Sequence, residues 1–336
     1  MPSRSSKKVF TARSQREGAG FIIRRSIGSS NVTTEETDPF LMLDELPLTD
    51  YRPGEFAGAP MHPHRGMDTV MYVKRGTCGH KDSMGNSGVL TDGDCQWMTA
   101  ASGIEHDEGT GHPGGPLHGF QCWINLPSKN KMDPPAYNDS KLDAFSSALL
   151  PCPPGTRTTS SLSPLRCRCP CPDHSRVSPF PVVAVTADSI PVVKPADGIS
   201  AKVIVGQVGD CKSLITPILK VQYLDFMCEA NSKYEHALDA SYETCIVHVY
   251  RGAGTFGASQ TAGKEGQCLL FGPGDSLAFS AGAEGVDFLL LAGVPLKEPV
   301  VWHGPFVMNT QEQIMQCFQD YQSGQFIKHK GVYRKL

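Results

Sequence analysis

The chain has 336 residues, 40% of them hydrophobic and 19% charged, with a formal net charge of −3. That length suffices for two domains with sizeable cores, and the composition is ordinary for a globular protein. The near-neutral balance leaves no basic field for phosphates, so direct nucleic-acid binding is not expected.

In chain order, Met1-Pro2-Ser3-Arg4-Ser5-Ser6-Lys7-Lys8 has no apolar core of the kind a secretory leader carries. A cytoplasmic or nuclear, non-secreted protein is expected. The first chemical signal is His62-x-His64, which leads into a predicted strand at Asp68-Thr69-Val70-Met71-Tyr72-Val73. A turn at Asp92-Gly93-Asp94 and the apolar Gln96-Trp97-Met98 precede a second pair, His106-x-Glu108. In a strand, residues i and i+2 share a face, so each pair can present two ligands to one point. Three imidazoles and a carboxylate suit a borderline divalent metal and leave coordination positions open. Glu105 and Asp107 have the opposite parity to His106 and should face away. Gly103 supplies a backbone able to bend that strand end inward.

His80, His112 and His118 stand outside any paired spacing and are expected to be loop or internally satisfied histidines. Cys95 and Cys122 sit in apolar strands and should be buried and inert. With 12 scattered cysteines, a reduced state is expected rather than a disulfide framework. The glycine-rich run 109–116 predicts a mobile lip beside Glu108.

A strand is predicted at Cys122-Trp123-Ile124-Asn125-Leu126, followed by a proline-rich stretch over 145–188 that reads as a disordered linker. Within it Cys167-x-Cys169-x-Cys171 has the wrong spacing for a zinc knuckle. Further strands are predicted at Ile246–Tyr250 and Phe288–Leu291, with a turn at Gly272-Pro273-Gly274-Asp275. The apolar run Val286–Val294 is too short to span a bilayer, so no membrane partner is expected. Tyr72-Val73-Lys74-Arg75-Gly76 followed by Gly93-Asp94 is echoed by Tyr250-Arg251-Gly252 followed by Gly274-Asp275. The echo predicts two β-barrels of similar design, the second beginning near residue 189. A helix is predicted after Asn309 as N-cap, with Ile314, Met315, Phe318 and Tyr321 as its apolar stripe.

The run His62-Pro63-His64-Arg65-Gly66-Met67-Asp68-Thr69, then Gly93-Asp94-Cys95-Gln96-Trp97-Met98-Thr99-Ala100, then Trp123-Ile124-Asn125-Leu126-Pro127 resembles the N-terminal cupin of the pirin family. Leu289–Leu296 and Gly304-Pro305-Phe306-Val307-Met308-Asn309-Thr310 resemble the family's second cupin. The likeness spans all but residues 1–15 and about 145–188, so the latter reads as an insertion or a gene-model artefact.

The resemblance implies an all-β fold of two tandem cupin barrels with a short C-terminal helix. Its expected domains are a metal-binding cupin at 16–144, the linker at 145–188, and a metal-free cupin at 189–328, where His236, His248 and His303 are isolated. It implies one Fe(2+) per chain, held by His62, His64, His106 and Glu108, with Asp68 outside the ligand set and fixing a histidine tautomer. The implied activity is a quercetin 2,3-dioxygenase-type cleavage of a flavonol by O2, with Glu108 as catalytic base. The alternative it implies is an iron-binding nuclear coregulator acting through transcription-factor proteins. A monomer is expected in either case.

Overall fold

The first strand, β1 (Ser6–Thr11), alternates half-buried and exposed positions, the period-2 mark of a strand with one face on a core. That core belongs to the far half of the chain. The computed structural model describes residues 3–139, 185–329 and 332–335.

The first barrel is built from β2 (Phe21–Ile27), β3 (Phe40–Tyr51), β4 (Ala59–His64), β5 (Met67–Arg75), β6 (Cys78–Asp82), β7 (Cys95–Thr99), β8 (Ile104–Glu108), β9 (Gly115–Asn125) and β10 (Ala136–Asp139). One of its sheets runs β2-β3-β9-β5-β7-β10, and the other places β4, β8 and β6 side by side. The second barrel uses β11 (Ile199–Val205), β12 (Val221–Cys228), β13 (Lys233–Ala237), β14 (Thr244–Phe256), β15 (Gln267–Phe271) and β16 (Ser276–Gly293). The fold is all-β with two cupin domains; the predicted strands at 70–73, 246–250 and 288–291 lie in strands, and the one predicted at 122–126 does so up to Asn125, where the strand ends.

The two ends of the chain are exchanged. β1 pairs antiparallel with β15 of the second barrel, and β17 (Val332–Lys335) pairs parallel with β10 of the first. One hydrophobic cluster spans the junction, with Tyr72, Trp97 and Phe120 from one barrel and Tyr223, Ile246 and Leu291 from the other. Two buried carboxylates are shared across the same junction. Glu45 accepts from Arg24, His118 and, across the interface, His248 at 2.9 Å. Asp225 accepts from Tyr250 and, across the interface, from Tyr72 and Lys74. Burial of so much ionic surface is tolerable because each carboxylate oxygen finds a donor.

The interior of the second barrel is filled by aromatic rings. Phe288 stacks on Phe226 at 5.2 Å and meets Phe279 edge-on at 4.9 Å. Such pairs pack tightly and leave little void. Within it His236 reaches Gln222, while His303 lies on the surface against Phe318.

Helix α1 (Gln311–Gln322) follows the second barrel, and its N-cap is Thr310 rather than the predicted Asn309. Thr310 wins because Gln313 stands at the third helical position and closes a reciprocal capping box. Its buried face is Ile314, Cys317 and Asp320, whereas Met315 and Tyr321 are 55% and 42% exposed. Among the described residues no helix is long and apolar enough to cross a membrane. Most of the 145–188 stretch, with Cys167–His174, lies outside the described residues; its end is packed, Val185 bridging Cys95 and the Ala187 N–H bonding Asp94 at 2.7 Å.

Candidate metal centre

Strand pairing brings the two predicted ligand pairs together. β8 lies antiparallel to β4 with His106 opposite His62 and Ile104 opposite His64, and the register shifts between His106 and Glu108. On its other edge β8 meets β6, with Glu108 opposite His80 and His106 opposite Asp82. The ring centres of His62, His64 and His106 stand 4.5–4.9 Å apart. Their candidate ligand atoms all fall within 4.8 Å of one another.

The electrostatics prepare these rings as ligands. Burial pulls the His106 and His64 pKa values well below the ordinary histidine value, and neighbouring histidines lower them further. His62 is lowered as well, chiefly by burial. At neutral pH all three are therefore uncharged, the form that binds metal. His62 Nδ1 lies 2.8 Å from the Pro60 carbonyl, so it donates there and leaves Nε2 as the lone-pair nitrogen. Asp68, expected to hold such a tautomer, has its Oδ2 on the Trp97 indole N–H at 2.9 Å.

His106 is wholly buried, and among the described residues neither of its ring nitrogens has a hydrogen-bond partner; His64 Nδ1 is in the same state. Buried polar atoms left dry cost on the order of 1–3 kcal/mol each, so the cluster is stable as a binding site and poor as mere packing. The donor set, neutral imidazoles with a carboxylate at hand, fits a divalent metal ion.

Glu108 sits slightly apart. Its side chain is 16% exposed, and its Oε1 lies 3.7 Å from His106 Nδ1 and 3.5 Å from Gln121 Nε2. Desolvation, aided by the nearby Asp107 charge, pushes its pKa up to about 7 against the pull of the Gln121 amide. Asp107 itself turns to the Thr110 hydroxyl, as the parity argument predicts.

His80 is the residue the sequence argument passed over. It is no loop histidine: it sits on β6, 3% exposed, and among the described residues it forms a second potential ligand group with His106 and Glu108. The signal was present, since His80-x-Asp82 has the same i, i+2 spacing as the other pairs. His118 bonds Glu45, and His112 packs against Phe56 and Tyr51, so the glycine-rich lip is anchored. Cys95 and Cys122 are fully buried, and desolvation pushes the Cys95 thiol up to about 12 and the Cys122 thiol well above the ordinary range, which fits the inert role expected.

The second half of the chain braces the ligand strand. A hairpin of Val301–His303 and Phe306–Met308 lies against it, with the Arg65 and Val307 backbones bonded at 3.0 Å. Gly66 makes that contact possible: its φ is +89°, and a Cβ there would fall 1.9 Å from the Val307 carbonyl. Arg65 is 1% exposed and donates to the Ser102 carbonyl at 2.7 Å, the Asp320 carboxylate at 2.7 Å and the Phe326 carbonyl at 2.9 Å. Helix α1 is thus tied to the residue next to His64.

A cavity of about 590 Å³ opens onto the cluster, with His62, His64 and Glu108 in its wall. Its lining is mainly apolar, including Phe21, Phe56, Met42, Met71, Trp123 and Trp302. The Arg25–Asp44 pair, bidentate at 2.7 and 2.6 Å, is the charged feature of that wall besides Glu17 and Glu108.

Two cupin barrels, the first holding a histidine-rich pocket under an apolar cavity, define a bicupin with a candidate metal centre. The chain belongs to the pirin family, matching the family descriptions "Pirin" over residues 20–124 and "Pirin C-terminal cupin domain" over residues 223–327. It is 35% identical to a pirin-like protein of Solanum lycopersicum over 98% of this chain and 95% of that one. It is 32% identical to the pirin of Homo sapiens, covering 95% of this chain and 93% of that one. Among solved structures it resembles a quercetin 2,3-dioxygenase from Acinetobacter baumannii, with a TM-score of 0.77, 26% identity, and coverage of 96% of this chain and 98% of that one.

Proposed function

We propose that the chain is an iron(II)-dependent dioxygenase of quercetin 2,3-dioxygenase type, with His62, His64, His106 and Glu108 as its metal ligands. The observation that carries this reading is the apolar cavity opening directly onto the histidine cluster, with the Glu108 carboxyl in its wall. A partly desolvated carboxyl facing the cavity is suited to take a proton and return it. Glu108 Oε1 accepts the proton of the flavonol 3-hydroxyl, and Gln121, already against that oxygen, steadies the carboxylate before transfer. Trp123 and Trp302, with ring centres 5.6 Å apart, hold the flat rings of the substrate by offset contact and keep water out. Iron(II) bound by the imidazoles would supply open coordination positions and redox chemistry toward dioxygen. The name of the Acinetobacter relative supports the substrate class. An open, apolar-lined pocket also favours catalysis over the coregulator reading, which needs no such cavity.

The test is direct. Protein loaded anaerobically with iron(II) and checked for one iron per chain is mixed with quercetin and oxygen. Loss of flavonol absorbance matched by oxygen uptake is expected, and Glu108→Gln should remove it while leaving quercetin binding. Iron-loaded protein that neither bleaches quercetin nor consumes oxygen overturns the proposal.

A further inference from the structure

The proposed ligand set leaves one buried imidazole beside the centre without a task. His80 Nε2 lies 3.2 Å from the Tyr137 hydroxyl, and that hydroxyl donates to Asp82 Oδ2 at 2.5 Å. The Asp82 carboxylate is a far better acceptor than the Met98 thioether 3.1 Å from the same hydroxyl, so the phenol proton goes to Asp82, the phenol oxygen accepts from His80, and Nε2 carries the hydrogen. Asp82 is fixed in turn by the Met84 and Asn86 backbone N–H groups, both at 2.9 Å. The other ring nitrogen, Nδ1, is therefore the lone-pair atom. It is buried and has no hydrogen-bond partner among the described residues. A carboxylate acting on the remote nitrogen of an imidazole, with the near nitrogen left bare, is how metal-ligating histidines are commonly oriented.

The surroundings of the His80 ring are equally specific. The His80 ring centre is 5.4 Å from that of His106, and one ligand atom each from His80, His106 and Glu108 lie within 4.8 Å of one another. Bonds of roughly 2.0–2.2 Å to nitrogen and oxygen require donors about 3.5–4 Å apart, so this trio, like the first, closes by small side-chain rotations. It also holds a carboxylate, which the first trio lacks, and so offsets part of a dication's charge in a buried setting.

We propose that His80, His106 and Glu108 form a second position for a borderline divalent cation, sharing His106 and Glu108 with the position at His62 and His64. The inference rests on the reading of this pocket as a metal centre. Because His106 serves both positions, the two are alternatives for one ion, and occupancy of the inner one draws Glu108 away from the cavity wall.

The test uses cobalt(II) as probe, followed by its visible absorption and by equilibrium dialysis on the full chain. Wild type should take up one equivalent. His62→Ala/His64→Ala removes two of the four outer donors and should still bind one equivalent more weakly. Adding His80→Ala to that pair should abolish binding, whereas Tyr137→Phe added to the pair should weaken it by about 10–100-fold. If the double variant does not fold, His62→Ala alone opens the outer trio and serves in its place. Binding by the folded outer-site variant that is absent, or indifferent to His80→Ala, overturns the inner position alone. Wild type that takes no cobalt overturns the metal reading and this inference together.

Discussion

Replacing Arg65 by methionine tests whether the C-terminal helix is held by one side chain. Methionine keeps most of the volume and removes the charge, so the loss is electrostatic rather than a cavity. Breaking a buried ion pair by deleting one partner costs about 3–5 kcal/mol. Asp320 keeps Lys328 at 2.9 Å and Gln316 at 2.9 Å, which argues for the lower end of that range. The Ser102 and Phe326 carbonyls lose their donor, and the guanidinium stacked 4.5 Å over the Phe326 ring is lost as well. Together these give an expected destabilisation of about 3–4 kcal/mol in urea unfolding. Amide exchange should rise first across 311–326. Arg65→Met/Asp320→Leu, which removes both charges, should recover more than half of the loss. A single variant costing less than about 1 kcal/mol, or a double variant no better than the single one, would refute the clamp.

Glu45 should set an acid limit on the barrel junction. Its donors hold its pKa near 2 against an ordinary 4.5, despite its burial. A depressed carboxyl contributes stability that is present above about pH 4.5 and lost as pH falls toward 2, here roughly 3 kcal/mol. Glu45→Gln should flatten that limb in urea unfolding at pH 6 and pH 3; equal losses in both proteins would argue against it. Gly66→Ala combines a positive φ with a backbone collision and should cost at least about 2 kcal/mol and weaken metal binding, read by calorimetry. Trp302→Ala should raise the dissociation constant of quercetin about tenfold with metal content unchanged, measured by fluorescence titration.

The outer histidines were legible because a strand writes its faces into alternate residues, and two such pairs fell in one barrel. His80 obeys the same rule, yet its partners come from other strands: Glu108 is revealed only by the pairing of β6 with β8, and Tyr137 comes from β10. Helix α1 shows the same limit. Periodicity marks Ile314 as buried, but the adjoining buried position is Asp320, which reads as polar until Arg65 is found beneath it. Met315 and Tyr321 took the apolar label on hydrophobicity alone and face solvent. The carboxylates at the junction were invisible for a related reason, since nothing local couples Glu45 to His248.

The exchange of the terminal strands has a consequence for biosynthesis. The first barrel leaves the ribosome early, but the edge of its sheet at β10 waits for β17, made after the whole second barrel. β1 waits in the same way for β15. Until β15 and then β17 have been made, the strand edges they cover are open to any other extended chain, including another nascent copy. Cutting between the barrels would make that condition permanent, so neither half is expected to behave as a domain when expressed alone.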